Sequence, residues 1–301
     1  MDKMKIGYFA DGKWAHKAFD KINNDESMSI QFICVRNDFR DPVLMELGNR
    51  YNIDVLYSPN INSADFIELI KKYDVDIFVS MSFNQIFRKE IINIPKYKTI
   101  NCHAGKLPFY RGRNILNWAL INDEKEFGIT VHYVDEGIDT GDIILQRCFE
   151  ITDSDTYKTL LNIAYTECAE VLYDALKMIQ KEEVRVIYQD EIDKVGMYCG
   201  MRQEGDEILD WNQNSRDVFN FVRAICDPGP MAQCYCDGVL VKVNKVREVD
   251  GVHCYKGIPG QIIGKTQEGF YVKTKDSMVE MIEFITEKKL RVGSRLKKEK
   301  E

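Results

Sequence analysis

The chain has 301 residues, of which 45% are hydrophobic and 30% are charged, and its formal net charge is -7 at pH 7. This composition is typical of a globular protein and excludes disordered and fibrous classes, and the length predicts two domains. A negative net charge opposes binding to a phosphate backbone, so a nucleic-acid partner would require a local basic patch.

The cysteines and the apolar runs indicate the cellular compartment. The nine cysteines are scattered, without any Cys-x-x-Cys pair. Metal sites need repeated short spacings and secreted disulfide frameworks usually have an even count, so reduced thiols and no metal are expected. The sequence shows no signal-peptide core and no run of about 18 apolar residues. We therefore expect a cytoplasmic protein with no membrane partner.

The first part of the chain alternates strand and helix patterns. Buried strands are predicted at KIGYFA, SIQFICV, DVLYSP and DIFVSM, and amphipathic helices follow them. Short connections between such elements build a parallel sheet through right-handed crossovers. The alternation continues through TINCHA, GITVHYV and DIILQRCFEI to a long helix that begins near Ser154. The sequence thus predicts an α/β domain over residues 1–195.

The pattern changes beyond about Val195. One helix, SRDVFNFVRAIC, is followed by strand-like runs that Asp-Gly, Pro-Gly and Glu-Gly turns separate. This arrangement predicts a smaller β-rich, barrel-like domain over residues 196–301. A dense basic run, KKLRVGSRLKKEK, extends from Lys288 to Lys300. We expect this tail to be a solvated, frayed terminus.

Two polar side chains mark the end of the strand TINCHA. Asn101 and His103 are two residues apart, so both leave the strand on the same face near its carboxyl end. Ligands of open α/β sheets bind at that edge. The Asn101 amide can hold a developing oxyanion and His103 can move a proton. By itself the pair is weak support for catalysis, because most such histidines are structural.

An acidic loop follows the strand GITVHYV. The loop, DEGIDTGD, contains Asp135, Glu136, Asp139 and Asp142. If this strand is parallel to TINCHA, the loop opens at the same sheet edge, where a carboxylate can accept the ring N–H of His103 and orient the imidazole. The alternative is an acidic turn that connects a hairpin, and such turns are common.

These segments together resemble a known family. The run NCHAGKLPFYRGRN followed by GITVHYVDEGIDTGD is similar to the signature of the folate-dependent formyltransferases, and GMRQEGDEILDW and FVRAICDPGP are similar to the family's C-terminal segment. The resemblance implies a Rossmann-like catalytic domain, 10-formyltetrahydrofolate as formyl donor, and a catalytic triad of Asn101, His103 and Asp139. The residue types suit transfer to an amine, because the reaction forms a tetrahedral oxyanion and moves protons.

The resemblance also implies a folate site. Its residues would be Gln85, Ile86, Phe87, Asp135, Glu136, Gly137 and Ile138, with Arg113 facing either the folate or the acceptor. An apolar slot with backbone donors and acceptors suits a flat heterocycle. For Ile86 and Phe87, ordinary core packing of a short helix is the open alternative.

The acceptor is predicted from a smaller set of residues. The stretch YRGRNILNWALIN resembles the sugar-nucleotide N-formyltransferases, although Lys106 and Ile115 depart from the family pattern. Lys106 could meet a diphosphate or face solvent, and Lys13 and Trp14 could cover a nucleotide. We therefore predict formyl transfer to a nucleotide-linked deoxyamino sugar for surface glycans. The alternative is methionyl-tRNA formyltransferase, with tRNA as partner, and a homodimer is left open.

Overall fold

The computed structural model describes residues 3–300, so Met1, Asp2 and Glu301, at the outer ends of the two predicted domains, lie outside the described residues. The chain divides into two compact units that interleave in sequence. One contains the chain up to Gly112 with Phe127–Phe149 and Asn162–Cys199, and the other contains Arg113–Glu126, Glu150–Leu161 and the chain from Gly200 onward. The last change of unit falls close to the predicted boundary at residue 195, and two earlier segments belong to the second unit.

The elements alternate as predicted in the first half and become mostly strands later. The strands are β1 (Met4–Ala10), β2 (Met28–Cys34), β3 (Asp54–Leu56), β4 (Ile77–Met81), β5 (Thr99–His103), β6 (Arg111–Gly112), β7 (Glu126–Tyr133), β8 (Ile143–Glu150), β9 (Tyr198–Cys199), β10 (Ala232–Cys236), β11 (Val239–Glu248), β12 (Ile262–Lys265), β13 (Phe270–Lys273) and β14 (Met278–Ile285). The helices are α1 (Gly12–Asn23), α2 (Pro42–Tyr51), α3 (Ala64–Lys71), α4 (Lys89–Ile92), α5 (Ile115–Ile121), α6 (Tyr157–Gln180), α7 (Gln189–Ile192) and α8 (Ser215–Ile225).

A seven-stranded sheet organises the first unit, in the order β3-β2-β1-β4-β5-β7-β8. The first five of these strands pair in parallel, which confirms the α/β prediction. β7 is antiparallel to β5, with His103 opposite Thr130 and Asn101 opposite His132. The parallel pairing on which the sequence analysis made the position of the acidic loop conditional is therefore not what the sheet shows. Parallel neighbours need a crossover connection, usually a helix, and the helix of this connection, α5, belongs to the second unit.

An aromatic cluster forms the core on one side of this sheet. The Phe9 ring meets the rings of Phe32, Phe78 and Phe87 edge-on, with centroids 5.6, 5.2 and 4.9 Å away. All four are buried, and each contributes roughly 1.5 to 3 kcal/mol by leaving water. Gly7 lies between two of them, because a Cβ there would come within 2.6 Å of Phe32 and Phe78. The packing of these rings against β1 therefore requires a residue without a Cβ at Gly7.

The second unit contains a five-stranded antiparallel sheet, in the order β10-β11-β14-β13-β12. The segment of residues 293–297 joins its two edge strands. Lys297 pairs with Tyr235 of β10, and Arg295 pairs with Gln261 just before β12. The sheet therefore closes on itself, as the barrel-like prediction requires.

The same pairing corrects the interpretation of the basic tail as a frayed terminus. Leu290 and Leu296 are buried in the second unit, and Lys298 forms an ion pair with Asp210 at 2.6 Å. The tail was misread because its basic residues are frequent and its two leucines are widely spaced. Apolar burial and strand pairing tie it down, and the charged side chains stay at the surface.

All nine cysteines are free thiols, most of them buried. Within residues 3–300, no helix has the length and apolar character needed to cross a membrane.

Leu296→Ala tests whether the tail holds the second unit together. Leu296 is 3% exposed, so its truncation should lower the free energy of unfolding by about 2 to 5 kcal/mol, as for other buried leucines. Urea denaturation measures this loss. The control is Glu299→Ala, at an exposed position of the same tail, and an equally small effect of both substitutions would restore the frayed-terminus interpretation.

Candidate functional site

The site lies at the carboxyl edge of the parallel strands of the first unit. Ala10 at the end of β1 pairs with Met81 of β4, which pairs with Cys102 of β5. The ends of these strands are therefore level with one another. Asn101 and His103 flank Cys102 and are both partly accessible, as expected of side chains that face a crevice. The predicted donor and base thus share one face.

The His103 ring is held through both nitrogens. Nε2 lies 2.7 Å from the Tyr110 carbonyl oxygen, and Nδ1 lies 3.6 Å from Oδ2 of Asp139. Because a carbonyl and a carboxylate only accept, both nitrogens can donate only when the ring carries two protons. Gly105 makes this position possible, since a Cβ there would collide with His103 Nε2 and the Tyr110 oxygen. Both ring nitrogens of His103 therefore face acceptor oxygens.

A second imidazole, His132, faces the same carboxylate. It is 2% exposed, its Nδ1 lies 2.8 Å from the Tyr133 carbonyl oxygen, and its Nε2 lies 3.4 Å from Oδ1 of Asp139. The Asn101 amide nitrogen is 3.2 Å from the same Nε2. A neutral ring can accept from Asn101, and a doubly protonated ring can donate to Asp139.

The sequence interpretation missed His132 as a member of this site. The antiparallel register places this residue directly opposite Asn101. An antiparallel alignment of GITVHYV with TINCHA would have found it, because paired residues project on the same face.

Asp139 is the charge at the centre of this site. Its side chain is 13% exposed, and Oδ2 accepts a hydrogen bond from the Gly112 N–H at 2.9 Å. Burial alone would raise the pKa of Asp139, but the charges of His103 and His132 and the Gly112 N–H outweigh it and hold the pKa well below its ordinary value. The carboxylate is therefore ionised at neutral pH.

The loop that carries Asp139 is shaped by its short side chains. Oδ1 of Asp135 accepts from the Gly137 N–H at 3.0 Å and the Thr140 hydroxyl at 2.5 Å, which forms an Asx turn. Gly141 passes so close to the Tyr133 carbonyl that a Cβ would overlap it. Asp139 itself has a φ of 54°, a left-handed conformation that aspartate tolerates better than most residues. These features turn the loop back toward β5.

The predicted folate residues after β4 have different environments. Gln85 donates to the Ser58 carbonyl at 2.7 Å and accepts from the Ile61 N–H at 3.0 Å. Ile86 is 63% exposed, whereas Phe87 is buried in the aromatic cluster. Core packing therefore accounts for the Phe87 side chain, and only its backbone remains for a ligand. The assignment of Gln85 and Ile86 to a folate site stays a prediction.

The remaining residues predicted to bind folate lie in different parts of the chain. Asp135, Glu136, Gly137 and Ile138 form the exposed outer part of the loop. Arg113 belongs to the second unit, where Nη1 lies 3.6 Å from the Met201 sulfur.

The three predicted acceptor residues all belong to the first unit. Lys13 is exposed at the start of α1, and the Trp14 ring meets Tyr165 edge-on at 4.7 Å. Lys106 lies against Gly128, where a Cβ would be 2.7 Å from the Lys106 Cα. Lys13 and Trp14 follow β1 at the carboxyl edge of the sheet, two strands from His103.

The arrangement suits proton transfer and oxyanion stabilisation at one carbon. Both imidazoles lie within 3.6 Å of one ionised carboxylate, and the Asn101 amide contacts one of them, His132. Among residues 3–300, no group of three or more His, Cys, Asp or Glu side chains could hold a metal ion.

Comparisons with known proteins agree with this chemistry. The family profile described as formyl transferase matches residues 37–176, and its C-terminal domain profile matches residues 202–297. Methionyl-tRNA formyltransferase of Pelotomaculum thermopropionicum is 34% identical over 235 residues, covering 77% of this chain and 73% of the relative. The Clostridium tetani enzyme of the same name is 32% identical over 252 residues, covering 83% and 80%.

The similar solved structures carry different names. A sugar 3N-formyl transferase, solved in the presence of dTDP and 5-N-formyl-THF, superposes with a TM-score of 0.66 at 19% identity, covering 96% of this chain and 99% of that one. An N-formyltransferase from Helicobacter canadensis, in complex with folinic acid and dTDP-3-aminofucose, gives 0.61 at 18% identity, covering 94% and 99%. At these identities the likeness establishes the fold alone.

The depressed pKa of Asp139 predicts a pH-dependent stability. The carboxylate stabilises the folded state above its unfolded pKa of about 3.9, and this contribution is lost as the pH falls through the lower folded pKa. Between about pH 5 and pH 2, the free energy of unfolding should fall more steeply for the wild type than for Asp139→Asn, which has no carboxylate to titrate. Urea denaturation across this range measures the difference, and parallel curves would contradict the assignment of a depressed pKa.

Proposed function

The chain belongs to the formyltransferase family, and from that membership we propose that it transfers a formyl group from 10-formyltetrahydrofolate to the amino group of a nucleotide-linked deoxyamino sugar. Formyl transfer from a reduced folate is the family's reaction. The observation that carries the assignment to this site is the ionised Asp139 between two imidazoles, beside the Asn101 amide.

The reaction needs one bond to form and one to break at the formyl carbon. The acceptor amine attacks this carbon and gives a tetrahedral oxyanion, which then collapses as the bond to the folate N10 breaks. The Asn101 N–H and a protonated His103 are suited to stabilise the oxyanion. The amine nitrogen loses one proton and the folate nitrogen gains one, so a group that can hold a proton is needed between them. His103 is our candidate for that group.

Asp139 supports this role electrostatically. Its carboxylate faces Nδ1 of His103, so it stabilises the doubly protonated ring and fixes the orientation of the imidazole. His132 accepts from Asn101 or donates to Asp139, according to its protonation. We propose that His132 orients these two groups, because its buried ring has little freedom to meet a substrate.

The folate would lie along the exposed loop of residues 135–138 and the backbone near Ile86. Both are accessible, and two of the similar structures contain 5-N-formyl-THF or tetrahydrofolate. A site of this kind recognises a flat heterocycle through backbone groups and an apolar wall.

Charge pairing in the second unit favours a small acceptor over tRNA. Arg216 contacts Asp123, Asp153 and Glu248 within 2.8 Å, and Arg247 contacts Glu268 and Glu280 within 2.8 Å. Basic groups neutralised in this way add little to a positive surface, and the chain as a whole is acidic. A tRNA-binding protein should carry a basic channel.

Methionyl-tRNA formyltransferase is the second candidate. It is favoured by the curated relatives, which carry that name at 30 to 34% identity over about three quarters or more of this chain. Under this candidate the partner is a charged tRNA. The free thiols fit a reducing compartment under either candidate, and we propose that the enzyme acts in the cytoplasm.

His103→Asn tests the proposed proton shuttle. The substitution should lower kcat by about 100-fold or more while the protein stays folded, because general acid-base groups contribute factors of that size. Steady-state kinetics with 10-formyltetrahydrofolate and the active acceptor measures the change. Asp142→Asn is the control, since Asp142 lies on the same loop and has no proposed proton role. Activity of His103→Asn within a few-fold of wild type would remove this residue from the mechanism.

A panel of acceptors tests the substrate class. The enzyme and 10-formyltetrahydrofolate are incubated with UDP-, dTDP- and GDP-linked amino sugars and with methionyl-tRNA, and mass spectrometry detects the replacement of an amine hydrogen by a formyl group. We expect at least one nucleotide sugar to be formylated. Formylation of methionyl-tRNA alone, with binding that weakens steeply with salt, would establish the second candidate.

A further inference from the structure

A segment after the long helix α6 holds both loops of the site. This segment, residues 187–199, is called the clamp here. At its start Ile187 forms an antiparallel bridge with Ile143, just after the loop that carries Asp139. At its end β9 pairs with β6, just after the turn that carries Tyr110. The clamp therefore joins the two stretches of chain that hold His103 and its carboxylate.

Gln189 is the polar centre of the clamp. It is 4% exposed. Its Nε2 donates to the carbonyl oxygens of Asp139 at 2.9 Å and Gly141 at 2.7 Å. Its Oε1 accepts from Nε and Nη2 of Arg111, at 3.1 and 2.7 Å. Because a guanidinium only donates and a carbonyl only accepts, this orientation of the amide is the one that the contacts allow.

Arg111 links the amide to the rest of the clamp. Nη1 of this buried residue lies 3.3 Å from the Val195 carbonyl oxygen and 3.4 Å from the Tyr198 hydroxyl. Its own N–H donates to the Met197 carbonyl at 2.9 Å. The next residue, Gly112, donates to the Asp139 carboxylate. Asp139 therefore accepts two hydrogen bonds from neighbouring groups. Its carboxylate accepts from the Gly112 N–H, and its backbone carbonyl accepts from the Gln189 amide.

The backbone of Asp139 needs such support. Its left-handed conformation, with φ at 54°, is sparsely populated by non-glycine residues and persists where surrounding contacts fix it. The loop just before it is exposed and is held by an Asx turn. Gln189 provides the buried side-chain donors for the carbonyls of Asp139 and Gly141.

We propose that Gln189 is a positioning residue, whose amide fixes the backbone of Asp139 so that the carboxylate stays between His103 and His132. The inference rests on the proposed roles of Asp139 and His103. In this proposal Gln189 influences the reaction through the placement of Asp139, which gives its loss a defined signature. Displacement of a catalytic group by about 1 Å can cost about 100-fold in rate, whereas substrate affinity depends on other residues.

Two substitutions separate positioning from a merely structural role. Gln189→Glu keeps an acceptor for Arg111 and replaces the amide nitrogen, with its two N–H donors, by one oxygen that faces the two carbonyls. Gln189→Met removes both functions without introducing a charge. We expect each variant to lower kcat by about 10- to 100-fold, with KM for both substrates within about 3-fold of wild type. Kinetics are measured below the thermal midpoint of each variant, where circular dichroism shows it folded.

The matched control is Glu191→Gln, an exposed position of the same short helix α7, which should leave kcat and KM unchanged. The proposal is overturned if folded Gln189→Glu keeps wild-type kcat, since a structural acceptor for Arg111 then suffices. It is also overturned if neither variant folds, because the amide then serves folding alone. His103→Asn in the same assay tests the proposed function separately: an active His103→Asn enzyme refutes the catalytic set, whichever result Gln189 gives.

Discussion

The site depends on the contacts that compensate the charge of the ionised Asp139 carboxylate. A buried charge is costly unless partners compensate it, and here two imidazoles and the Gly112 N–H do so. Each partner arrives through a different feature of the chain. The antiparallel register brings His132 opposite Asn101, Gly105 lets His103 reach the Tyr110 carbonyl, and Asp139, with its left-handed backbone, faces both imidazoles. The geometry of the site therefore depends on the sheet and on the two loops that carry Gly105 and Asp139.

The sequence predicts much of this architecture because much of it is local. The alternation of apolar runs identifies the strands and helices, and the period of two along TINCHA places Asn101 and His103 on one face. The direction of β7 is not local, because it depends on where the intervening helix packs. His132 and Gln189 were missed for the same reason, since their partners lie 31 residues away in Asn101 and 50 residues away in Asp139. The tail was misread because strand pairing, which composition does not report, holds it in place.

The residues proposed for the transfer reaction do not by themselves identify the acceptor. Asn101, His103, His132 and Asp139 all belong to the first unit, and the formyl transfer that we propose for them has the same chemistry for any amine. The proteins that this chain resembles carry names for different acceptors, methionyl-tRNA in the sequence relatives and a sugar in a similar solved structure. Fold and transfer chemistry therefore do not determine the acceptor. The surface charge distribution is informative about the acceptor, because a polyanion and a single nucleotide require different electrostatic potentials at the binding surface.

The closure of the second unit by residues 293–297 has a consequence for contact with other chains. These residues pair with Tyr235 of β10 and with Gln261 just before β12, so they cover part of both edges of the five-stranded sheet. Unpaired strand edges invite pairing with other chains. Local opening of residues 293–297 would therefore expose two strand edges at once, so this pairing protects the second unit against strand addition as well as closing its sheet.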